Sequence, residues 1–382
     1  MAKLGDVFNL QMGKTPARAN AAYWTNGTNA WVSIADLSSY EKYVGDTKEQ
    51  ITDLAVQESG IKAVPADTII MSFKLSLGKT AITKVPIYTN EAIMAFLPTG
   101  KYDVCPDYFF HRFSGRDWSE GTNRAVMGAT LNKATLSNME IVIPPLDEQR
   151  RIAAVLDKVS DLIAKRRAQL DKLDLLVKAR FVEMFGTEHE FGRWPCGKVA
   201  DVADVCVGVV IKPTQYYAEE GVRAFRSLNI GPMYVKDNDW IYFSQEGHLK
   251  NQKSVIHKDN VLVVRSGAPG TACVATEEYD GCNAVDIIIA RPDTNKINPV
   301  FLAMFTNLPH GMNQIQERTG GAAQQHFNVG GYKALNLIMP PLALQNEFAL
   351  FFEQSNKSKM TIQQSLDKLE ILKRVLMQRY FN

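Results

Sequence analysis

The residues most able to do chemistry in this chain are its two Gly-Lys-Thr tripeptides, its histidines and its cysteines. Gly78-Lys79-Thr80 and Gly13-Lys14-Thr15 each have the closing residues of a phosphate-cradling loop. That loop needs a further glycine five residues before the first, and Phe73 and Phe8 stand there, so the cradle cannot form. His111, His248, His257 and His326 have no companions at metal-ligand spacing. Cys105, Cys196, Cys206, Cys273 and Cys282 are odd in number and form no Cys-x-x-Cys pair, which reads as reduced structural thiols in a cytosolic protein. Pro106-Asp107 lacks the Glu-x-Lys a nuclease site would add. No Gly-rich methyl-donor loop follows a strand, and no Asn/Asp-Pro-Pro-Tyr motif is present to hold a flipped base. The expectation is a chain that binds and positions, with no catalytic residue, bound metal or cofactor of its own.

The elements that would do the positioning are long. From Asp147 to Phe185 the chain has neither Gly nor Pro, and Ile152, Val155/Leu156, Val159, Leu162/Ile163, Leu170, Leu173, Leu176/Val177, Phe181 and Met184 recur at three-then-four spacing. That spacing draws one apolar stripe along a helix. Pro340-Pro341-Leu342 opens a second such segment, striped by Phe348, Phe351/Phe352, Ile362, Leu366, Leu369, Leu372 and Leu376. Each helix leaves a stripe to cover, and packing the two against each other as an antiparallel coiled coil is the simplest closure. Where apolar residues double up, the band is wider than a two-helix seam requires.

The segments align at a constant offset: Pro144-Pro145-Leu146 on Pro340-Pro341-Leu342, Gln149 on Gln345, and Leu170-Asp171-Lys172-Leu173 on Leu366-Asp367-Lys368-Leu369. The globular stretches before them repeat too, with Asp67 to Gly78 matching Asp259 to Gly270 at an offset of 192. By the double prolines the offset is 196, which places four extra residues in the second copy, in the Gly-rich stretch 318–326. The fold class is α+β with an internal pseudo-two-fold repeat. It divides into a mixed α/β domain at 1–146 with a helical piece near 123–127, a long helix at 147–186, a second mixed domain at 187–342 and a closing helix at 343–382. The net charge is +2 over 382 residues, so a nucleic-acid surface would have to be local. No apolar run approaches the ~20 residues that span a bilayer.

With these residues in view, the chain resembles the specificity subunits of type I restriction–modification enzymes. Two differing globular domains alternate with two long helices, each opened by Pro-Pro-Leu-x-x-Gln (Pro144 to Gln149, Pro340 to Gln345) and each carrying Leu-Asp-Lys-Leu. The second copy departs by having Leu344 where the first has Glu148. The resemblance implies a non-catalytic, cytoplasmic, prokaryotic subunit whose two target-recognition domains read an asymmetric bipartite sequence in double-stranded DNA. It implies that the helices set the spacing and dock two methyltransferase subunits, with restriction subunits where a system has them. S-adenosylmethionine, and ATP with Mg²⁺, would then belong to those partners. The competing expectation from the residues alone is a structural adaptor whose paired domains bind protein or glycan.

For a DNA reader the candidate contacts are polar loop residues, since cations and amides hold phosphates while Arg, Lys, Asn, Gln, Ser and Thr reach base edges. In the first domain these are Lys14, Thr15, Arg18, Ser33, Lys74, Ser76 and Lys79; in the second, Lys212, Arg226, Asn229, Arg265, Ser266, Gln324 and Gln325. Arg265, beside Ser266-Gly267, leads because it can fork onto a guanine edge. Leu156, Ile163, Val177, Phe351 and Phe352, at the doubled positions, are the expected partner-binding residues.

Overall fold

The computed structural model describes residues 1–74, 76–118, 123–125, 128–319 and 326–381. The chain forms two compact units, one of residues 1–166 with 365–382 and one of residues 167–364. Both long helices, the central helix Leu146–Phe185 and the terminal helix Leu342–Phe381, therefore contribute one half to each unit.

In the first unit an antiparallel sheet runs in the order Phe8–Met12, Ile93–Pro98, Ile69–Ser72, Thr80–Ile82. Its central strand Ile69–Ser72 is buried on both faces, and strand alternation divides it. Ile69 and Met71 join a core with the helix Pro106–Ser114 and the start of the central helix, where Phe8, Phe96, Phe109 and Phe113 meet edge to face. Ile70 turns the other way, to a core shared with Val32 and Leu37 beneath a second sheet. That sheet pairs Asn29–Val32 antiparallel with Glu49–Ile51 and parallel with Tyr88–Thr89.

The second unit repeats the plan. Ala203–Val207, Ile287–Pro292, Val261–Val264 and Ala272–Val274 form the four-stranded sheet in that order. Val261 and Val263 face the helices while Leu262 and Val264 face the smaller sheet. The four extra residues are not inserted at one place. The offset is 192 at the strands starting at 80 and 272, 195 at those starting at 88 and 283, 193 at the helices starting at 106 and 299, and 196 at those starting at 133 and 329. In place of the helix expected near 123–127, Asn123–Ala125 pairs antiparallel with Gly128–Thr130, while 126 and 127 lie outside the described residues.

The Pro-Pro-Leu-x-x-Gln motif has the same physical job twice. Gln149 is fully buried, accepts the Cys105 N–H at 2.9 Å and donates to the carbonyls of Asp103 and Pro144, both at 2.9 Å. Gln345, equally buried, accepts the Asn298 N–H at 2.9 Å and donates to Pro340 at 2.8 Å. Each glutamine ties the start of a long helix to the loop entering a short one, and a buried amide so satisfied fixes one geometry. The residue before it plays no part: Glu148 points outward to Arg151.

The two long helices pack antiparallel. In the second unit Phe181 meets Phe348 with ring centroids 5.2 Å apart, Arg180 bonds Glu347 at 2.9 Å and Asp174 pairs with Lys359 at 2.5 Å, so numbering falls on one helix as it rises on the other. In the first unit Arg151 lies 5.9 Å from the Tyr380 ring, and Leu376, Met377 and Phe381 pack on the core that holds Ile152 and Leu156. Gly186, at φ +90°, ends the central helix with its N–H on the Val182 carbonyl at 2.8 Å.

Candidate nucleic-acid interface

Three segments meet at one end of the larger sheet in each unit. In the first, the N–H of Gly13 bonds the Ile93 carbonyl, Lys14 bonds Thr89, and Phe73 bonds Ala92, at 3.1, 2.8 and 3.0 Å. In the second, the N–H groups of Gly208 and Val209 bond the Ile287 and Ala284 carbonyls at 2.9 and 2.8 Å, and Arg265 donates to the Asp286 carboxylate at 2.5 Å. The loops holding Lys14, Lys74 and Lys79, or Lys212, Arg265 and Ser266, are thus neighbours in their own unit, although some sixty residues separate them in the chain. The hairpin loops have matching glycines, Gly78 at φ +80° and Gly270 at φ +90°, in a conformation other residues resist.

The individual side chains are less free than their types suggest. Lys14 is exposed but leans on the Ser59 carbonyl, and Thr15 bonds the Glu91 carboxylate. Arg18 forks onto Glu49 and lies 3.9 Å from the Trp24 ring centroid, so it builds the smaller sheet's edge. Ser33 caps the helix Ile34–Ser39 through a reciprocal bond with Asp36. Lys74 sits 5.2 Å from the Phe73 ring; Ser76 and Lys79 are exposed, their backbone held by the Ser72 hydroxyl. In the second unit Lys212 stands exposed at φ +45° beside Ile211, which is 80% exposed. Arg226 donates to the Asp239 carbonyl. Asn229 is fully buried and is a correction to the expected contacts: its amide accepts the Arg226 N–H and donates to the Asn238 carbonyl at 2.7 Å, shaping the loop from within. Gln324 and Gln325 lie outside the described residues.

Arg265 is the second correction. It is buried, with Nε donating to the Phe327 carbonyl at 3.2 Å, one terminal nitrogen on Asp286 Oδ1 at 2.5 Å and the other on His326 Nε2. An Nε2 that accepts from a guanidinium puts the ring proton on Nδ1, which faces Ser266 Oγ at 2.8 Å. The fork expected to reach a base instead locks the hairpin loop, Asp286 and His326 into one network. Asp286, at φ +49°, is the member that sequence reading missed; it lies 21 residues from Arg265, and only strand pairing brings them together. In the first unit the positions matching Arg265, Ser266, Asp286 and His326 are Phe73, Lys74, Ala92 and Thr130. The two ends share a backbone and differ in chemistry.

The expected partner-binding residues also divide on inspection. Leu156 is fully buried, and Ile163 and Val177 are buried too, because they face their own units' cores; they are no docking surface. Phe351 and Phe352 are half-buried against the second unit's core. In the doublets it is the other member that faces out, with Leu162 37% and Leu176 49% exposed. Leu175 and Met360 in the second unit, and Ile371, Leu372 and Val375 in the first, are exposed as well. Among the described residues no cysteine is joined in a disulfide, and burial pushes the Cys273 thiol up to about 12. Among the described residues no three His, Cys, Asp or Glu side chains group as metal ligands, and no helix is long and apolar enough to cross a membrane.

Residues 1–173 match the type I restriction modification DNA specificity domain. The chain is 23% identical over 372 residues to the type I restriction enzyme MjaIX specificity subunit of Methanocaldococcus jannaschii, covering 91% of this chain and 84% of that one. It is 29% identical over 168 residues to the EcoR124I/EcoR124II specificity subunit of Escherichia coli, covering 42% of this chain and 40% of that one. Among solved structures it is similar to the S subunit of a type I restriction-modification system from M. genitalium, with a TM-score of 0.60 at 12% identity over 100% of this chain and 95% of that one. A chain from a structure of the type I R-M system, described by its complex assembly and conformational transition, gives a TM-score of 0.61 at 16% identity over 99% and 96%. The fold is that of a mixed α/β protein with paired long helices, as in these S subunit structures. Residues 1–173 thus carry the match to the specificity domain, and along most of its length the chain is similar to type I specificity subunits.

Proposed function

We propose that this chain reads an asymmetric, two-part sequence in double-stranded DNA, one part with each unit, and presents it to methyltransferase subunits docked on its helices. The observation that carries this reading is the pair of matching loop clusters. The same three segments converge in both units, yet Lys74, Ala92 and Thr130 stand where Ser266, Asp286 and His326 stand, so the two ends would read different bases. Lys14, Lys74, Ser76 and Lys79, and Lys212 and Ser266, are the contacts of this reading; Arg18, Ser33, Arg226, Asn229 and Arg265 act behind them by holding loops in shape. Gln324 and Gln325 belong to the same candidate set. In this reading the chain works in the cytoplasm with two methyltransferase subunits, which bind S-adenosylmethionine, while ATP and Mg²⁺ belong to restriction subunits where a system has them.

The apolar residues that face outward on the helices support docking: a helix laid along Leu175, Leu176 and Met360, flanked by the half-buried Phe352, would complete a small bundle. Electrophoretic shift of duplex DNA pools, with and without a co-expressed methyltransferase subunit, tests the whole reading. A sequence-dependent shift is expected; equal binding to all sequences in both conditions would leave only a structural adaptor. Exchanging residues 1–146 for those of a relative is expected to change one half-site and leave the other intact.

A further inference from the structure

Away from the loop clusters, the first unit has a cavity of about 530 Å³ between the end of the helix Pro106–Ser114 and the last turns of the terminal helix. Among the described residues Arg112, Arg116 and Arg374 line it with Asp117 as the one carboxylate, a formal charge of 3 − 1 = +2. Arg116 lies 5.3 Å from the Trp118 ring centroid and Arg112 lies 5.7 Å from that of Phe381 while donating to the Tyr108 hydroxyl at 3.3 Å. Among the described residues, none of the three guanidiniums is paired with a carboxylate. Asp117 has a partner of its own.

The duplication supplies an internal comparison. The short helices are offset by 193, so Arg112 and Arg116 correspond to Phe305 and Pro309 of the second unit, which folds the same way. The fold does not need arginine at either place. Gathering three guanidiniums in one cavity costs repulsion that an anion would relieve, and planar guanidiniums bind phosphate oxygens two at a time. Phe381 and Met377 give the cavity an apolar wall beside the cations, and its volume lies in the range of small-molecule sites. A charge of +2 suits a phosphoryl group better than a single carboxylate.

We propose that this cavity binds a phosphate-bearing anion through Arg112, Arg116 and Arg374. Two sources offer that chemistry: a free polyphosphate or nucleotide, and a phosphate of bound DNA, the second resting on the reading above. The test uses the full chain, the double variant Arg116→Gln/Arg374→Gln, its Lys counterpart R116K/R374K, and Lys258→Gln in the second unit as a control, all checked for unchanged melting temperature. Inorganic pyrophosphate binding is followed by calorimetry and duplex affinity by anisotropy across a salt series. For a free anion, pyrophosphate binds the native chain and Lys258→Gln alike, at least tenfold more weakly the Gln double variant, and R116K/R374K recovers part of the loss. For a DNA phosphate, pyrophosphate binding is weak throughout, but the slope of log affinity against log salt becomes shallower by about 1.8 in the Gln variant, about 0.9 for each phosphate lost. Pyrophosphate binding and salt slope both unchanged in the Gln variant would overturn the proposal. Because pyrophosphate binding needs no DNA, it stands or falls apart from the two-part reading, which the loop exchange tests.

Discussion

Arg265 holds three partners at once, the Phe327 carbonyl, Asp286 and His326, and under the proposed reading a side chain so committed would influence DNA only through the loop it shapes. The distinction is measurable. If Arg265 met a base directly, Asp286→Asn would loosen its tether and leave or strengthen binding. Acting through the loop, Arg265→Met and Asp286→Asn should each weaken binding, and each should lower unfolding free energy, by about 2 kcal/mol for the arginine, whose loss strands a carboxylate and a carbonyl. The two changes break one network, so the double variant should be little worse than the poorer single one, and denaturant melts beside DNA titrations of all three would show it. Residue type in a polar loop was legible in the sequence; burial was not. Asn229 and Arg265 look like base readers because nothing local reveals that Asn238 or Asp286 folds back onto them.

Between residue and molecule stand the helices. The apolar stripe and the Pro-Pro-Leu-x-x-Gln openings located them almost to the residue, since a long run without Gly or Pro at three-then-four spacing has one outcome. Which member of each doublet turns inward depends on partners far along the chain, so Val177 and Leu176 could not be told apart. Val177→Ala should therefore cost about 2 kcal/mol in an unfolding melt by emptying core space. Leu176→Asp should stay within about 0.5 kcal/mol of native while a co-expressed methyltransferase subunit no longer copurifies. A polar clamp ties the central helix to the helix Pro106–Ser114 in the first unit: Lys42 Nζ lies 2.7 Å from Asp107 and 2.6 Å from Asp157, and buried His111 meets Asp157 at 2.7 Å. Burial pushes the Asp157 carboxyl up, but His111 and Lys42 outweigh it and hold it below 3.8; burial draws Lys42 down, but Asp107 and Asp157 outweigh it and hold it above 10.5. A depressed carboxyl stabilises the fold above its unfolded value and ceases to as pH falls through the folded one. A raised amine does so fully below 10.5 and ceases to as pH rises through its higher folded value. Asp157→Asn should thus lower stability by about 2 kcal/mol across the neutral range and flatten the acid limb below about pH 4, read from denaturant melts at each pH.

At the scale of the whole molecule, each long helix belongs half to one compact unit and half to the other, with the boundaries at 166/167 and 364/365. The repeat was readable from the offset of 196 between the helices, yet these boundaries were not, because the stripe runs through them without a break and only contacts with the sheets divide it. Helix pairing within a unit joins residues 146–166 to 365–381, or 167–185 to 342–364. Four residues added at one boundary alone would lengthen one helix without the other and set the two halves at odds. Added at both, they keep the pairing inside each unit and introduce about one helical turn, ~6 Å, into the proposed spacer. At 3.4 Å per base pair this is a shift of about two pairs. Methylated positions mapped genome-wide in cells carrying the double insertion should show the same bases in each half-site with a spacer longer by one or two pairs. The single insertion should lower the melting temperature and methylate poorly. A changed half-site in the double insertion would mean that the helices take part in reading, and the separation of readers from spacer would fail.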